Sequence, residues 1–326
     1  MPDFALLDDA SPSPAPGARR SVVVIGNFDG VHRGHQAVLA EATATARSLG
    51  LSSAVLTFHP HPGLVLGRGE PPVLTTLARR AALIKALGVD QVFVRAFDRD
   101  FAKWSPEVFA RALVRDTLLA EVVVVGENFR FGAARAGDLA VLRFLGETLG
   151  FETRVHGVAR DAAGAFSSTR ARQGIARGDM DEARAVLGRH HAISGAVVRG
   201  DQRGRTIGFP TANLEAPAEM LPPSGVYAVL VDALTPGRAA QALARGVMNL
   251  GVRPTVAGDG RRTAEVHLLD FAGDLYGQTL RVHLVARLRD EQRFDGLAAL
   301  TTQIAIDVDA AREVLLTARP RDGAFG

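Results

Sequence analysis

Two histidines three residues apart, His32 and His35, lie in the run Gly26-Asn27-Phe28-Asp29-Gly30-Val31-His32-Arg33-Gly34-His35. Three glycines in nine residues let a backbone turn tightly and approach a phosphate, and a helix starting here adds free N–H groups and positive potential. A spacing of three places both rings on one side of a first helical turn. Such a pair suits attack on the α-phosphate of a nucleoside triphosphate, because donors aimed at a five-coordinate phosphorus stabilise its charge without a covalent intermediate. A different group stands far down the chain. Glu265, on an alternating strand, can take the proton of an alcohol while a γ-phosphoryl group moves onto the oxygen. Upstream of it, Gly200, Gly204 and Gly208 lead into Phe209-Pro210-Thr211-Ala212-Asn213. Backbone N–H groups of that run can wrap a phosphate chain, and Thr211 and Asn213 offer neutral oxygens to a Mg2+ shared with ATP and water.

These groups need elements to position them. From Ser21 the runs SVVVIG, AVLTF, QVFV, EVVVVG and FETRVHGV read as strands, with helices over about 34–49, 75–87, 106–119 and 139–149 between them. Five apolar strands interleaved with four helices predict a parallel sheet covered on both faces, with ligands beyond the carboxyl ends of its strands. After Arg172 a short helical stretch leads into strands that follow one another directly, at about 193–198, 226–231, 241–248, 263–269 and 280–288. Gly and Pro cluster between them, which predicts a small antiparallel barrel. One amphipathic helix over about 297–316 closes the chain, with Leu297, Leu300, Ile304, Val308 and Val314 near helical spacing. The expected organisation is a disordered tail over 1–20, a first module over 21–185 and a second over 186–326.

Composition agrees with that plan and removes several kinds of chemistry. At 326 residues, 47% of them apolar and 22% charged, the chain is long enough for two globular modules with real cores. With no cysteine, it has no disulfide framework, thiolate nucleophile, Cys-ligated zinc or iron–sulfur cluster. Of its 38 basic residues only Lys85 and Lys103 are lysines, and neither follows a Gly-rich loop, which excludes a Walker P-loop. The 35 acidic residues nearly balance the basic ones, so nucleic acid is a poor expectation. Abundant arginine suits small phosphorylated ligands instead. The first twenty residues lack the basic start and apolar stretch of a signal peptide, and later apolar runs fall short of the roughly 20 residues that span a bilayer. A cytoplasmic protein without membrane partners is expected.

Three further segments narrow the first module. Thr57-Phe58-His59-Pro60-His61-Pro62 ends the second expected strand, with Phe58 free to stack on a flat ring and the two histidines expected to face solvent. Gly126-Glu127-Asn128-Phe129-Arg130-Phe131-Gly132 follows the fourth, its two aromatics divided evenly between core and ligand stacking. Ser167-Ser168-Thr169-Arg170-Ala171-Arg172 follows the fifth, with hydroxyls and arginines that can cradle a triphosphate and Ser168 also suited to capping a helix. With the His32/His35 run, these segments resemble the FMN adenylyltransferase module of prokaryotic bifunctional FAD synthetases, an HxGH nucleotidyltransferase of Rossmann-like α/β fold. The resemblance implies ATP contacts at Gly26, Phe28, Asp29, Gly30, Gly34, Ser168, Thr169 and Arg172, and flavin contacts at Phe58, Asn128 and Phe129. Phe166 and Ala171 depart from the family's aliphatic pattern, as packing changes would.

In the second half Pro223-Ser-Gly225-Val226-Tyr227, Gly246-Val-Met-Asn249-Leu-Gly251-Val-Arg253-Pro254-Thr255, Glu265-Val-His267 and Asp274-Leu-Tyr276-Gly277 follow one another in order. This set resembles the riboflavin kinase module. By that resemblance Gly200, Gly204, Gly208, Thr211 and Asn213 hold ATP, Thr211 and Asn213 also hold the metal, and Glu265 is the base. His267 reads as structural. Arg289 is divided between a ligand contact and a solvated charge. Together the resemblances imply two consecutive reactions with Mg2+: riboflavin and ATP give FMN and ADP, then FMN and ATP give FAD and pyrophosphate. The alternative is an HxGH nucleotidyltransferase acting on another phosphorylated cofactor precursor. The expected partners are flavins and ATP, with self-association left open.

Overall fold

The computed structural model describes residues 3–8, 13–200, 204, 207–215, 217–253 and 261–318. By its internal contacts the chain divides into two compact units, Met1–Ser168 and Thr169–Gly326.

The first unit is built on six parallel strands, β1 (Ala5–Leu7), β2 (Ser21–Ile25), β3 (Ser52–His59), β4 (Gln91–Ala96), β5 (Ala120–Gly126) and β6 (Glu152–His156), in the order β1-β4-β3-β2-β5-β6. Val22, Val23 and Val24 of β2 and the valine run 122–125 of β5 are buried, as a sheet covered on both faces requires. The helices are α1 (Arg33–Leu49), the short α2 (Pro62–Val65), α3 (Leu77–Ala86), α4 (Pro106–Val108) with its π-helical continuation Phe109–Thr117, and α5 (Leu139–Leu149). A two-stranded hairpin, β7 (Arg160–Asp161) with β8 (Gly164–Ala165), follows the sheet. The chain steps from β2 to one side through β3 and β4, then returns to its other side with β5. That reversal opens a crevice at the carboxyl ends of β2 and β5, the place where such sheets bind ligands.

One expectation is corrected here. The segment read as a disordered tail supplies β1, which pairs in parallel with β4, and Leu7 is buried against the core. Ala15 is also buried, and its N–H donates to the carbonyl of Thr117 at 3.0 Å. Two small apolar anchors suffice because the free edge of β4 provides ready-made hydrogen-bonding groups. Residues 9–12 of that segment lie outside the described residues.

The second unit opens with α6 (Ser168–Arg177), whose first residue closes the preceding unit, and α7 (Met180–Leu187). Six strands then form a closed barrel: β9 (His191–Val198), β10 (Ala212–Leu214), β11 (Gly225–Leu234), β12 (Gln241–Arg253), β13 (Arg261–Leu268) and β14 (Thr279–Arg289). Their order is β10-β13-β12-β11-β14-β9, all neighbours antiparallel, with β9 returning to β10. The strand beyond the five read from the sequence is β10, three residues inside the run expected as a ligand loop. Along β13 Ala264, Val266 and Leu268 enter the core, so Glu265 and His267 take the opposite face. The closing helix α8 (Leu297–Thr317) packs Ala311 and Leu315 against Val226, Ala228 and Leu230. Met180 of α7 joins the barrel core, so the compact division falls ahead of the 185/186 boundary read from the sequence. Among the described residues no helix is long and apolar enough to cross a membrane.

Candidate active sites

In the first unit β2 delivers the chain at Gly26, whose N–H donates to Leu56 O at 3.1 Å, and α1 begins seven residues later. Phe28 is buried in the turn between them with φ +52°, and Gly30 has φ +82°. Both fold the loop back sharply, a geometry glycine adopts freely and phenylalanine only when held. His32 caps α1, its Nδ1 accepting the His35 N–H at 3.3 Å. The two imidazoles stack with centroids 3.6 Å apart, 21° from parallel. Gly34 lies between them in a tight place, since a Cβ there would stand 3.1 Å from the His32 ring and 3.2 Å from Phe166 O. Phe166 in turn lies under Arg33, whose guanidinium carbon is 5.4 Å from the ring centroid.

Asp29, expected on ATP, is engaged with the protein. It accepts from Leu74 N at 3.1 and 3.2 Å, from Thr75 N at 3.0 Å and from Thr75 Oγ1 at 3.2 Å, and lies 3.6 Å from Arg80 Nη2. Thr75 Oγ1 also accepts from Gly30 N at 3.1 Å, so the loop is fixed at both residues. The Ser168 hydroxyl donates to the Asp29 carbonyl at 2.8 Å. Burial, then the His32 ring, then the Arg80 guanidinium push the His35 pKa well below its ordinary value. His35 is therefore neutral at physiological pH. Sequence reasoning missed Arg80 and Thr75. They sit on a segment more than forty residues away, with no motif to mark them.

A cavity of about 520 Å³ opens at the same strand ends, lined by Gly26, Asn27, Phe58, His61, Asn128, Phe129 and Trp104 among others. It brings together Phe58, Asn128 and Phe129, the three residues expected on flavin. Phe129 stacks on Phe131 with centroids 5.5 Å apart; both line this cavity and both pack on the core, Phe131 buried and Phe129 partly so. Phe58 meets Phe97 edge to face at 6.0 Å. His59 is exposed, as expected. His61 is not directed to solvent: it lines the cavity, and its Nδ1 accepts from Gly63 N at 3.0 Å.

In the second unit Thr169 is exposed and Arg172 half-buried in the first turns of α6. Arg170 is committed to Glu182, with Nε to Oε1 at 2.6 Å and Nη2 to Oε2 at 3.3 Å. On the barrel, Gly200 stands against the Asn213 carboxamide, where a Cβ would lie 2.5 Å from Asn213 Cγ. The Gly204 carbonyl accepts from Phe209 N at 2.8 Å, and Gly208 has φ +86°. Asp201, Arg205, Pro254 and Thr255 of the motifs lie outside the described residues. Thr211 lines a cavity of about 650 Å³ together with Val197, Pro210, Ala212, Phe271, Asp274 and Tyr276. Asn213 is the direct cross-strand partner of Glu265, which is also paired with Asn249 on its other side. A carboxylate thus stands between two carboxamides on the outer face of the sheet. His267 donates through Nδ1 to Pro210 O at 2.8 Å and meets the Phe209 ring at 5.3 Å, which holds the approach to Thr211. Arg289, left open by the sequence, forms a paired hydrogen bond with buried Asp307 of α8, at 2.7 to 3.1 Å.

Among the described residues no group of three or more His, Asp or Glu could hold a metal ion. Thr211 and Asn213, the residues expected to hold the metal, offer neutral oxygens, with Gly200 against the Asn213 carboxamide and Gly204 near the Thr211 hydroxyl. That set fits a divalent cation carried chiefly by the phosphates of a nucleotide.

A family model described as FAD synthetase matches residues 15–170, and one described as riboflavin kinase matches residues 187–315. A Pseudomonas fluorescens protein named bifunctional riboflavin kinase/FMN adenylyltransferase is 42% identical over 297 residues, covering 91% of this chain and 94% of its own. The protein of the same name from Escherichia coli K12 is 41% identical over 300 residues, 92% of this chain and 94% of its own. A crystal structure described as a macrolide-efflux protein from Streptococcus pneumoniae superposes with a TM-score of 0.81 at 30% identity, covering 94% of this chain and 98% of that one.

Proposed function

The chain belongs to the bifunctional riboflavin kinase/FMN adenylyltransferase family, and on that premise we propose how its residues divide the two reactions. The enzyme phosphorylates riboflavin with ATP to give FMN and ADP, and transfers AMP from a second ATP to FMN, giving FAD and pyrophosphate.

Adenylyl transfer belongs to the module read over 21–185. A phosphate oxygen of FMN attacks the α-phosphorus of ATP and pyrophosphate leaves. His32 and His35, stacked at the start of α1, donate hydrogen bonds to the oxygens where charge gathers. Gly26, Gly30 and Gly34 let the phosphates approach the backbone, and the Ser168 hydroxyl lies beside the same turn. Phe28 and Asp29 act one step back, by fixing that turn. Phe58, Phe129 and Asn128 receive the isoalloxazine of FMN, rings against its faces and the amide at its polar edge.

Phosphoryl transfer belongs to the module read over 186–326. The 5′-hydroxyl of riboflavin gives its proton to Glu265 as its oxygen bonds to the γ-phosphorus and ADP leaves. Gly200, Gly204 and Gly208 accommodate the phosphate chain. Thr211 and Asn213 would hold Mg2+, which when bound neutralises charge on the transferring phosphate. The observation that carries this half is the direct pairing of Asn213 with Glu265 across β10 and β13. A cytoplasmic location accords with reliance on ATP and the lack of cysteine.

The test is a separation of activities with purified full-length protein, riboflavin or FMN, ATP and Mg2+, followed by chromatography of the flavins. Glu265→Ala is expected to abolish FMN formation and spare FAD formation from FMN. His32→Ala with His35→Ala is expected to do the reverse. Loss of both activities in either variant would contradict the assignment.

A further inference from the structure

We propose that Glu291 positions riboflavin in the kinase module by accepting hydrogen bonds from its ribityl hydroxyls. The inference rests on the assignment of Glu265 as base and extends it to the other end of the same substrate.

Glu291 follows β14 by two residues and is exposed. Its Oε1 stands 2.9 Å from the point that a Cβ on Gly251 would occupy, and Asn249 Nδ2 and Thr263 Oγ1 stand 3.5 and 3.6 Å from the same point. In register, Asn249 pairs with Glu265 and Gly251 with Thr263. Side chains alternate along a strand, so Asn249, Gly251, Thr263 and Glu265 share one face. The Glu291 carboxylate therefore lies on the face that carries the base, one same-face step beyond it.

Direction matters as much as distance. On the near side of Glu265 stand His267, Pro210 and Thr211, the approach assigned to ATP. Glu291 lies on the far side, from which the acceptor must come if its hydroxyl is to meet the γ-phosphate beside Glu265. One same-face step along a strand is about 7 Å, on the order of the span of an extended five-carbon chain. A substrate whose terminal hydroxyl reaches Glu265 thus runs its remaining hydroxyls past Glu291. A carboxylate accepts from two hydroxyls at once. Glycine at 251 leaves the carboxylate room to lie against the strand.

Steady-state kinetics of riboflavin phosphorylation by the full chain tests this. Glu291→Ala is expected to raise KM for riboflavin about tenfold or more, with KM for ATP and kcat little changed. Glu291→Gln, which keeps the shape, is expected to give a smaller rise and decides the matter if the alanine variant does not fold. Lumiflavin, which has the ring system but no ribityl chain, is expected to inhibit parent and Glu291→Ala with the same Ki. A riboflavin KM within about twofold of the parent overturns the proposal, as does a lumiflavin Ki that weakens in step with it. Glu265→Gln keeps the two levels apart. If it retains kinase activity, the assignment of the base fails; if it is inactive while the Glu291 variants behave as the parent, only the role of Glu291 fails.

Discussion

The imidazole rings of His32 and His35 lie face to face, centroids 3.6 Å apart. Two imidazolium ions would repel strongly at that separation, so the two rings are not charged together. With burial, His32 and Arg80 all holding the His35 pKa below its ordinary 6.5, adenylylation of FMN is expected to persist as pH falls through the usual histidine range. Arg80→Met removes one positive neighbour and should move the acid limb of the pH–rate profile upward. Stability follows the same titration. His35 stays neutral in the folded protein but binds a proton in the unfolded chain below pH 6.5, so its contribution is intact above that pH and lost as pH falls below it. Acid denaturation followed through FAD formation checks the sign.

Asp29 should matter more for folding than for contact with substrate. Asp29→Ala leaves Leu74 N and Thr75 N without their acceptor and Arg80 without its nearby carboxylate. Loss of one member of a buried charged pair costs about 3 kcal/mol or more. The expected outcome is thermal loss of FAD formation at markedly lower temperature, with riboflavin phosphorylation unchanged.

Gly200→Ala is expected to damage the kinase selectively. The new methyl would stand 2.5 Å from Asn213 Cγ, and the carboxamide would have to leave its place opposite Glu265. A displacement near 1 Å in a phosphoryl-transfer site reduces kcat on the order of a hundredfold. Single-turnover formation of FMN is the measurement, with adenylylation as the internal reference.

Arg289→Met tests a structural assignment. Asp307 is 5% exposed in its side chain and takes three hydrogen bonds from Arg289, so its carboxylate would lose its charge partner and keep the Gln303 amide at 3.0 Å. The expected cost is about 3–5 kcal/mol in barrel stability, read by denaturant unfolding, with near-parental kinase turnover under stabilising conditions.

The runs of β-branched residues and their spacing were enough to read the alternation of the first unit and the uninterrupted strands of the second, because both patterns are local. What escaped the sequence is held together at a distance. β1 is three residues long and exists only because β4 offers an edge. β10 was hidden inside a Gly- and Pro-rich run whose role as a ligand loop and as a strand are compatible. Phe28 and Asp29 were expected on ATP from their motif; that the ring is buried and the carboxylate anchored to Leu74 and Thr75 could not be read from it. That Phe58, Asn128 and Phe129 come together was legible, since all three lie at or just after strand ends, and they line one cavity. Trp104, which lines the same cavity, was not, because it arrives from a loop unrelated to any recognisable run.

The attachment of β1 to β4 has a practical side for anyone handling the protein. A chain trimmed by proteolysis or by design after Leu7 or before Ser21 would bare one flank of the sheet, a row of amides and carbonyls able to recruit the same flank of another molecule. Preparations shortened in this way should clump on storage while intact ones stay dispersed, and an apparently expendable leader would prove to be the enzyme's guard against its own neighbours.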